Sequence, residues 1–283
     1  MMTSPLFYWN TLIAAFGRFS RKNGWVMSSH VAMSLMLALF PFVLFTVALS
    51  GVMTEMLSTD VQRADMIELV FGAWPDQIAD PIVKELNSVL AASGSKLMTV
   101  GGVLTLYFAS NGVDAIRVAM TQAYQDDDPR PYWKTRLLSM GFVVAGGAGI
   151  LAIAVFELAL PLYTGLLHAA FPDEVTEVFS ADNLSRSLIV LTPILAVLAC
   201  HRWLPGHSHA FRQILPGVIL TVVLWALAGW GFAYYIAQFA SYSATYAGLA
   251  GAMAALIFLY LNAAILIFGA EFNGALLQEE PVG

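Results

Sequence analysis

The chain has 283 residues, of which 59% are hydrophobic and only 11% charged, with a mean hydropathy of +0.72 and a formal charge of −6. That balance lies well outside the range of a water-soluble domain of this length. The negative net charge and the lack of any basic groove argue against a nucleic-acid partner.

Residues 1–30 place Leu6, Phe7, Trp9, Leu12, Ile13, Phe16 and Phe19 on roughly helical spacing, with basic residues at the end. The pattern predicts an amphipathic lead-in lying at the inner membrane interface. Six apolar stretches follow, each near the ~20 residues needed to cross a hydrocarbon core: Val31–Met53, Lys96–Arg117, Leu137–Tyr163, Arg186–Trp203, Ile214–Phe239 and Ala247–Gly274. The first has no small-residue cleavage site after it and reads as a signal anchor. The expected fold is therefore all-α: one polytopic membrane domain, a six-transmembrane-helix bundle, spanning 1–283.

Basic residues fall in alternate loops. Arg18, Arg21 and Lys22 precede the first span, Arg130, Lys134 and Arg136 lie between the second and third, and Arg202 and Arg212 between the fourth and fifth. In the other loops Glu55, Asp60, Asp65, Glu68, Asp76, Asp80 and Glu85 outnumber Arg63, Lys84 and Lys96, and Asp173, Glu174, Glu177 and Asp182 outnumber Arg186. The positive-inside rule then predicts that both termini are cytoplasmic. Residues 54–95 carry apolar residues at helical spacing through Ile67–Phe71 and Ile78–Leu90, broken at Trp74-Pro75. They predict a small outer cap of two amphipathic helices. Cys200 is the single cysteine, so no intrachain disulfide can brace that cap.

Small residues at Gly101-Gly102, 145–149, Gly229, Gly231 and 248–252 suit close helix packing within one bundle, and they also offer a seam for a homodimer. No cofactor is implied: the chain lacks a phosphate-binding Gly-rich loop with its Lys, a His-Glu-x-x-His helix and a Gly-x-Ser-x-Gly elbow. His201, His207 and His209 include a His-x-His pair that could bind a metal, but metal sites usually need three or four ligands at suitable spacing, so no metal is expected.

Ionisable groups inside a membrane helix are costly and point to function. Asn111, Asp114 and Arg117 are spaced three apart on the second span, and Asp114 can pair with Arg117 at i, i+3. Glu271 and Asn273 stand at the same end of the last span, and Ser28 and His30 open the first. Together they predict a cytoplasm-facing polar cavity between three helices, in which Arg117 recognises a charged headgroup while Asp114 and Glu271 orient it or carry a proton. The same residues also suit an interhelical network that fixes register. Pro41, mid-membrane in the first span, and Asn262, in the middle of the last, are candidate pathway or hinge positions; Glu157, near the outer end of the third span, suits an interfacial carboxylate.

The motifs His201-Arg202-Trp203-Leu204-Pro205, Leu215-Pro216-Gly217, Leu224-Trp225, Tyr234-Tyr235, Tyr246-Ala247-Gly248-Leu249 and Gly269-Ala270-Glu271-Phe272-Asn273 resemble the BrkB/YihY family of bacterial inner-membrane proteins, as do Asn23-Gly24 leading to Phe40-Pro41 and the stretch from Ser110 to Arg136. The resemblance covers nearly the whole chain. It implies a six-helix inner-membrane bundle, and with it come an old ribonuclease label and proposals of a virulence factor or of a transporter of lipid-like or small solutes. RNA cleavage requires a paired acid and base beside a basic groove, or clustered carboxylates holding metal, and neither pattern is present, so no enzyme is expected. The expected function is a transporter or lipid-handling protein, with the bilayer and an anionic lipid or amphiphile as partners. The alternative is a non-transporting envelope scaffold or assembly factor docking through its acidic outer loop.

Overall fold

The computed structural model describes residues 5–57, 83–84, 95–124, 127–170, 180–239 and 247–279. Among them are seven long helices: α1 (Pro5–Arg21), α2 (Gly24–Leu57), α3 (Ser95–Tyr124), α4 (Tyr132–Ala170), α5 (Ala181–Trp203), α6 (Phe211–Phe239) and α7 (Ala247–Glu279). Backbone groups in hydrocarbon have no water to bond, so long apolar sequence closes its hydrogen bonds within helices.

Among the described residues five segments are long and apolar enough to cross a membrane: Gly24–Leu49, Tyr132–Phe156, Asn183–Trp203, Phe211–Ile236 and Gly251–Gln278. The expected span at Lys96–Arg117 is also helical, within the thirty residues of α3. Its polar residues lower its hydropathy, and it is tolerated because it packs centrally, against α2, α4 and α7.

The first span starts earlier than expected. Asn23 takes a left-handed conformation, φ 57°, and ends α1 while its carbonyl accepts the Val26 and Met27 N–H groups that open α2. Asn tolerates that conformation better than most residues with a side chain. Gly24 follows because a Cβ there would run into the Phe19 ring. The lead-in is thus a helical hairpin with α2. One face of α1 buries Ala15 among Phe272, Ala275 and Leu276 of α7, and the opposite face exposes Trp9, Ile13 and Phe16.

The main core lies toward one end of the bundle. Val31 of α2, Ala115, Ala119, Met120 and Ala123 of α3, Val197 of α5, Ile214 and Val218 of α6 and Ala263, Ile267 and Ala270 of α7 bury one another there. Elsewhere large apolar side chains such as Leu191, Leu195, Leu227 and Trp230 face outward, as expected where lipid rather than water is the neighbour. Close approach of α6 and α7 depends on Gly217 and Gly269: a Cβ on Gly217 would overlap the Gly269 carbonyl, and one on Gly269 would overlap Thr221 Oγ1. Of the small-residue cluster of α4, Gly147 is buried against Thr46 and Phe45 of α2, whereas Ala145, Gly146 and Gly149 are exposed.

The expected outer cap, 54–95, lies outside the described residues except for 54–57 at the end of α2, the helical pair Val83-Lys84, and Ser95. The side chains of Glu157 and Pro161 lie outside them too.

Candidate functional site

The N-terminal ends of α2, α4 and α6 and the C-terminal ends of α1, α3, α5 and α7 gather at one end of the bundle, and three polar clusters knit them together. The first centres on Glu271, 2% exposed in α7. Arg18 Nε lies 3.0 Å from Glu271 Oε2 and Lys22 Nζ 2.9 Å from Oε1. The same two cations reach the last carbonyls of α3: Arg18 Nη2 donates to Ala123 O, and Lys22 Nζ donates to Gln122 O at 2.9 Å. A helix C-terminus carries partial negative charge and unpaired carbonyls, so the two cations cap α3 while they neutralise Glu271. Burial holds the Lys22 ammonium below its ordinary range of 10.5, against the opposing attraction of Glu271.

The second cluster is a chain of alternating charge. Arg117 Nε donates to Asp114 Oδ1 at 2.9 Å and its Nη1 to Asp128 Oδ2 at 2.6 Å. Asp128 is also held by Arg130, which donates from Nη2 to the Leu204 carbonyl beyond α5. Arg130's hydrogen bond, aided by Arg117, keeps the Asp128 carboxyl below the usual 3.8. The loop 127–131 is thereby fastened to both α3 and α5, and Gly206 lets it approach, because a Cβ there would come 2.5 Å from Asp127 O.

The third cluster is uncharged and fully enclosed. Asn273 Oδ1 accepts the Gly217 N–H at 2.7 Å, and its Nδ2 donates to Ile214 O and to Tyr124 Oη, both at 2.8 Å. The Tyr124 hydroxyl, which accepts from Asn273, is also hydrogen-bonded to His201 Nδ1 at 2.8 Å. His201 Nε2 is buried and makes no hydrogen bond among the described residues. His209 stacks on the other side of Tyr124.

Beside these clusters a groove of about 510 Å³ opens between α2 and α3. His30, Ser34, Leu37, Ala38 and Pro41 line one wall, at i, i+4, i+7, i+8 and i+11; Phe108, Asn111, Asp114, Ala115 and Val118 line the other. The α2 wall is about 16 Å long at 1.5 Å per residue. Leu37, Phe108 and Val118 are exposed, and so are His30 and Asn111, while Ala38 and Ala115 are buried, so the groove has a mixed polar and apolar mouth over a floor of small side chains. Close packing below it comes from Gly112, where a Cβ would meet Leu35 and Ala38. Behind the lining, Arg136 Nη2 donates to Asn111 Oδ1 at 2.6 Å and to Tyr107 O, with its guanidinium over the Tyr107 ring.

The predicted residues therefore divide. His30, Pro41, Asn111 and Asp114 share the groove. Arg117 lies behind Asp114, engaged by two carboxylates. Glu271 and Asn273 belong to the other two clusters, and Ser28 is buried with its hydroxyl on Gly24 O of its own helix. Asn262 donates to Phe258 O one turn back; its backbone carbonyl, not its side chain, makes the bond across to Trp225 Nε1 of α6. The single inward-facing cavity is corrected to a lateral groove plus three closed networks, because α1 folds back to supply Glu271 with cations and the inward face of α3 is its alanine stripe. Sequence reasoning used Arg18 and Lys22 only for topology and His201 only as a weak metal candidate and a motif residue, and it did not single out Tyr124. The signal for the first two was the i, i+4 spacing of cations in a helix that also has an apolar face.

These features define a polytopic α-helical integral membrane protein. The sequence profile of the bacterial family described as Virulence factor BrkB matches residues 15–282, and the chain belongs to that family. A Bacillus subtilis protein named as ribonuclease-like, YfkH, is 27% identical over 92% of this chain and 93% of its own. A UPF0761 membrane protein of Alteromonas mediterranea is 23% identical over 92% of this chain and 87% of its own. Another, from Xanthomonas campestris, is 23% identical over 93% of this chain, which spans 61% of that longer protein. No solved structure matches.

Proposed function

We propose that the protein is a non-enzymatic transporter or lipid-handling protein of the bacterial inner membrane, and that its groove between α2 and α3 takes the headgroup of an amphiphile from the bilayer. The observation that carries this reading is polar lining within a membrane-spanning length: Ser34, Asn111 and Asp114 share the groove with the exposed apolar side chains Leu37, Phe108 and Val118. Polar groups left facing acyl chains are costly, and a headgroup whose chains run along Leu37, Phe108 and Val118 removes that cost. The polar end of the bundle faces the cytoplasm in this reading, since Arg18, Arg21, Lys22, Arg130, Arg202 and Arg212 flank it.

Native mass spectrometry of the detergent-purified protein tests the reading against a groove-filling Ser34→Phe variant. A lipid held through delipidation by the native chain and lost in the folded variant is expected. Equal retention by both places the lipid elsewhere and refutes the groove; loss of the cellular phenotype on deleting 58–94 but not on filling the groove favours the envelope scaffold instead. For orientation, with Cys200 replaced, a cysteine at Ser208 is expected to react only from inside and one at Ser88 from outside.

A further inference from the structure

Resting on that groove reading, we infer that the site selects an amphiphile whose headgroup carries an ammonium, in place of the anionic headgroup that Arg117 suggested from sequence. Three observations carry the sign of charge. Among the described residues, Asp114 is the one carboxylate in the lining, and no Lys or Arg lines it; His30 is the other titratable side chain there. Both hydrogen bonds that Asp114 makes among the described residues, from Arg117 Nε and Ser139 Oγ, fall on Oδ1, so Oδ2 keeps its acceptor capacity. Pro41 has no N–H to give the Leu37 carbonyl one turn earlier, so that carbonyl, on the same helix wall, lacks its usual helical donor.

The nearest cations are already committed. Arg117 is bonded to Asp114 and Asp128, and Arg136 to Asn111 Oδ1 and Tyr107 O. Because Arg136 occupies the oxygen of Asn111, that amide offers the groove its N–H donors, beside the Ser34 hydroxyl and the His30 ring. A carboxylate acceptor for an ammonium next to donors for an ester oxygen suits a zwitterionic aminolipid head, and the apolar side chains of Leu37, Phe108 and Val118 suit its chains. A soluble amine presents the same ammonium without using those apolar side chains.

The experiment is competition in native mass spectrometry. The full-length protein in detergent receives equimolar phosphatidylethanolamine and phosphatidylglycerol, with soluble phosphoethanolamine added in a separate arm. Phosphatidylethanolamine is expected to be retained about tenfold over phosphatidylglycerol, the order given by one charge-assisted contact. Asp114→Asn should abolish that preference and Asp114→Glu should keep it. Because Asp114 also braces Arg117, Ser34→Lys serves as the independent variant: it adds a cation to the lining while leaving the ion-pair chain intact, and should turn the preference toward phosphatidylglycerol. Retention of phosphatidylglycerol that Ser34→Phe removes but Asp114→Asn leaves unchanged overturns the charge assignment and keeps the groove. Displacement of the lipid by equimolar phosphoethanolamine overturns the amphiphile in favour of a small solute. No groove-dependent retention of either lipid overturns the groove reading and this inference with it.

Discussion

Glu271 is the residue whose loss the structure prices most clearly. Its carboxylate is 2% exposed and touches Arg18, 8% exposed, and Lys22, 21% exposed. Replacing Glu271 by Gln keeps the volume and one acceptor oxygen but leaves a buried guanidinium without its counter-charge. Removing one partner of a buried pair costs about 3–5 kcal/mol; the Lys22 contact, more exposed, adds less than about 1 kcal/mol. Since Arg18 keeps its bonds to Gln278 and Ala123 O, the lower end, about 3 kcal/mol, is expected. The assay is unfolding in mixed micelles followed by circular dichroism. A paired Arg18→Met, Glu271→Leu variant supplies the control, because an apolar pair of similar volume is often neutral relative to a buried ion pair. It should recover most of the loss. A Glu271→Gln variant within about 0.5 kcal/mol of the native chain, the ordinary range for surface changes, would refute the account of a charge clasp between α1 and α7, and so would additive losses in the paired variant.

Gly269→Ala should destabilise by about 1–3 kcal/mol through overpacking against α6, and Thr221→Ala in the same chain should recover part of it, since Thr221 Oγ1 is the atom the new methyl meets; Gly229→Ala, where nothing lies within 4 Å, should be neutral in the same unfolding assay. Tyr124→Phe removes the hydroxyl bonded to His201 Nδ1 and Asn273 Nδ2 and should cost about 1–3 kcal/mol, the cost of leaving a buried polar group unsatisfied; a melting temperature equal to the native one refutes the enclosed network. Asp128 titrates below 3.8 in the folded chain, so its stabilisation is complete above the unfolded value and is lost as pH falls through the lower folded value. The stability gap between the native chain and Asp128→Asn should therefore hold from neutral pH to about pH 5 and narrow only below 3.8; a gap that closes near neutral pH refutes the assignment.

Hydropathy alone carried the spans, because a bilayer constrains length and polarity more tightly than water does. It failed at the start of α2. The seven residues from Gly24 to His30 are helical, yet Ser28, Ser29 and His30 broke the apolar run and hid the helix. The side chains show why: Ser28 bonds its own helix at Gly24 O, and His30 belongs to the groove wall. The Asp114–Arg117 pair was legible because i, i+3 spacing on a helix is local information. The partners of Glu271 were not, since Arg18 and Glu271 are 253 residues apart and meet only through the fold-back of α1 against α7. Asn111, Asp114 and Arg117 do share a face, but hydropathy cannot tell whether that face turns toward the bundle axis or toward the seam with α2. Ala115, Ala119 and Ala123 decided it: small side chains claimed the packed interior and left the polar stripe at the edge.

That placement separates architecture from function within one polar end. Glu271, Asp128 and Asn273 each make several bonds that tie together helix ends distant in sequence, and each would be expected in a bundle that does nothing but hold its shape. Asn111 and Asp114 differ. Each is anchored through one oxygen by a cation behind it, Asn111 by Arg136 and Asp114 by Arg117, while the remaining valences stay with the groove. A side chain oriented from behind with its other polar atoms uncommitted is the arrangement a binding site requires, because the orientation is set before the ligand arrives and little ordering remains to be done on binding. The same two cations lie too deep in their own pairings to meet the ligand themselves. On the proposed reading, charge recognition in this groove falls to the carboxylate that Arg117 positions rather than to Arg117.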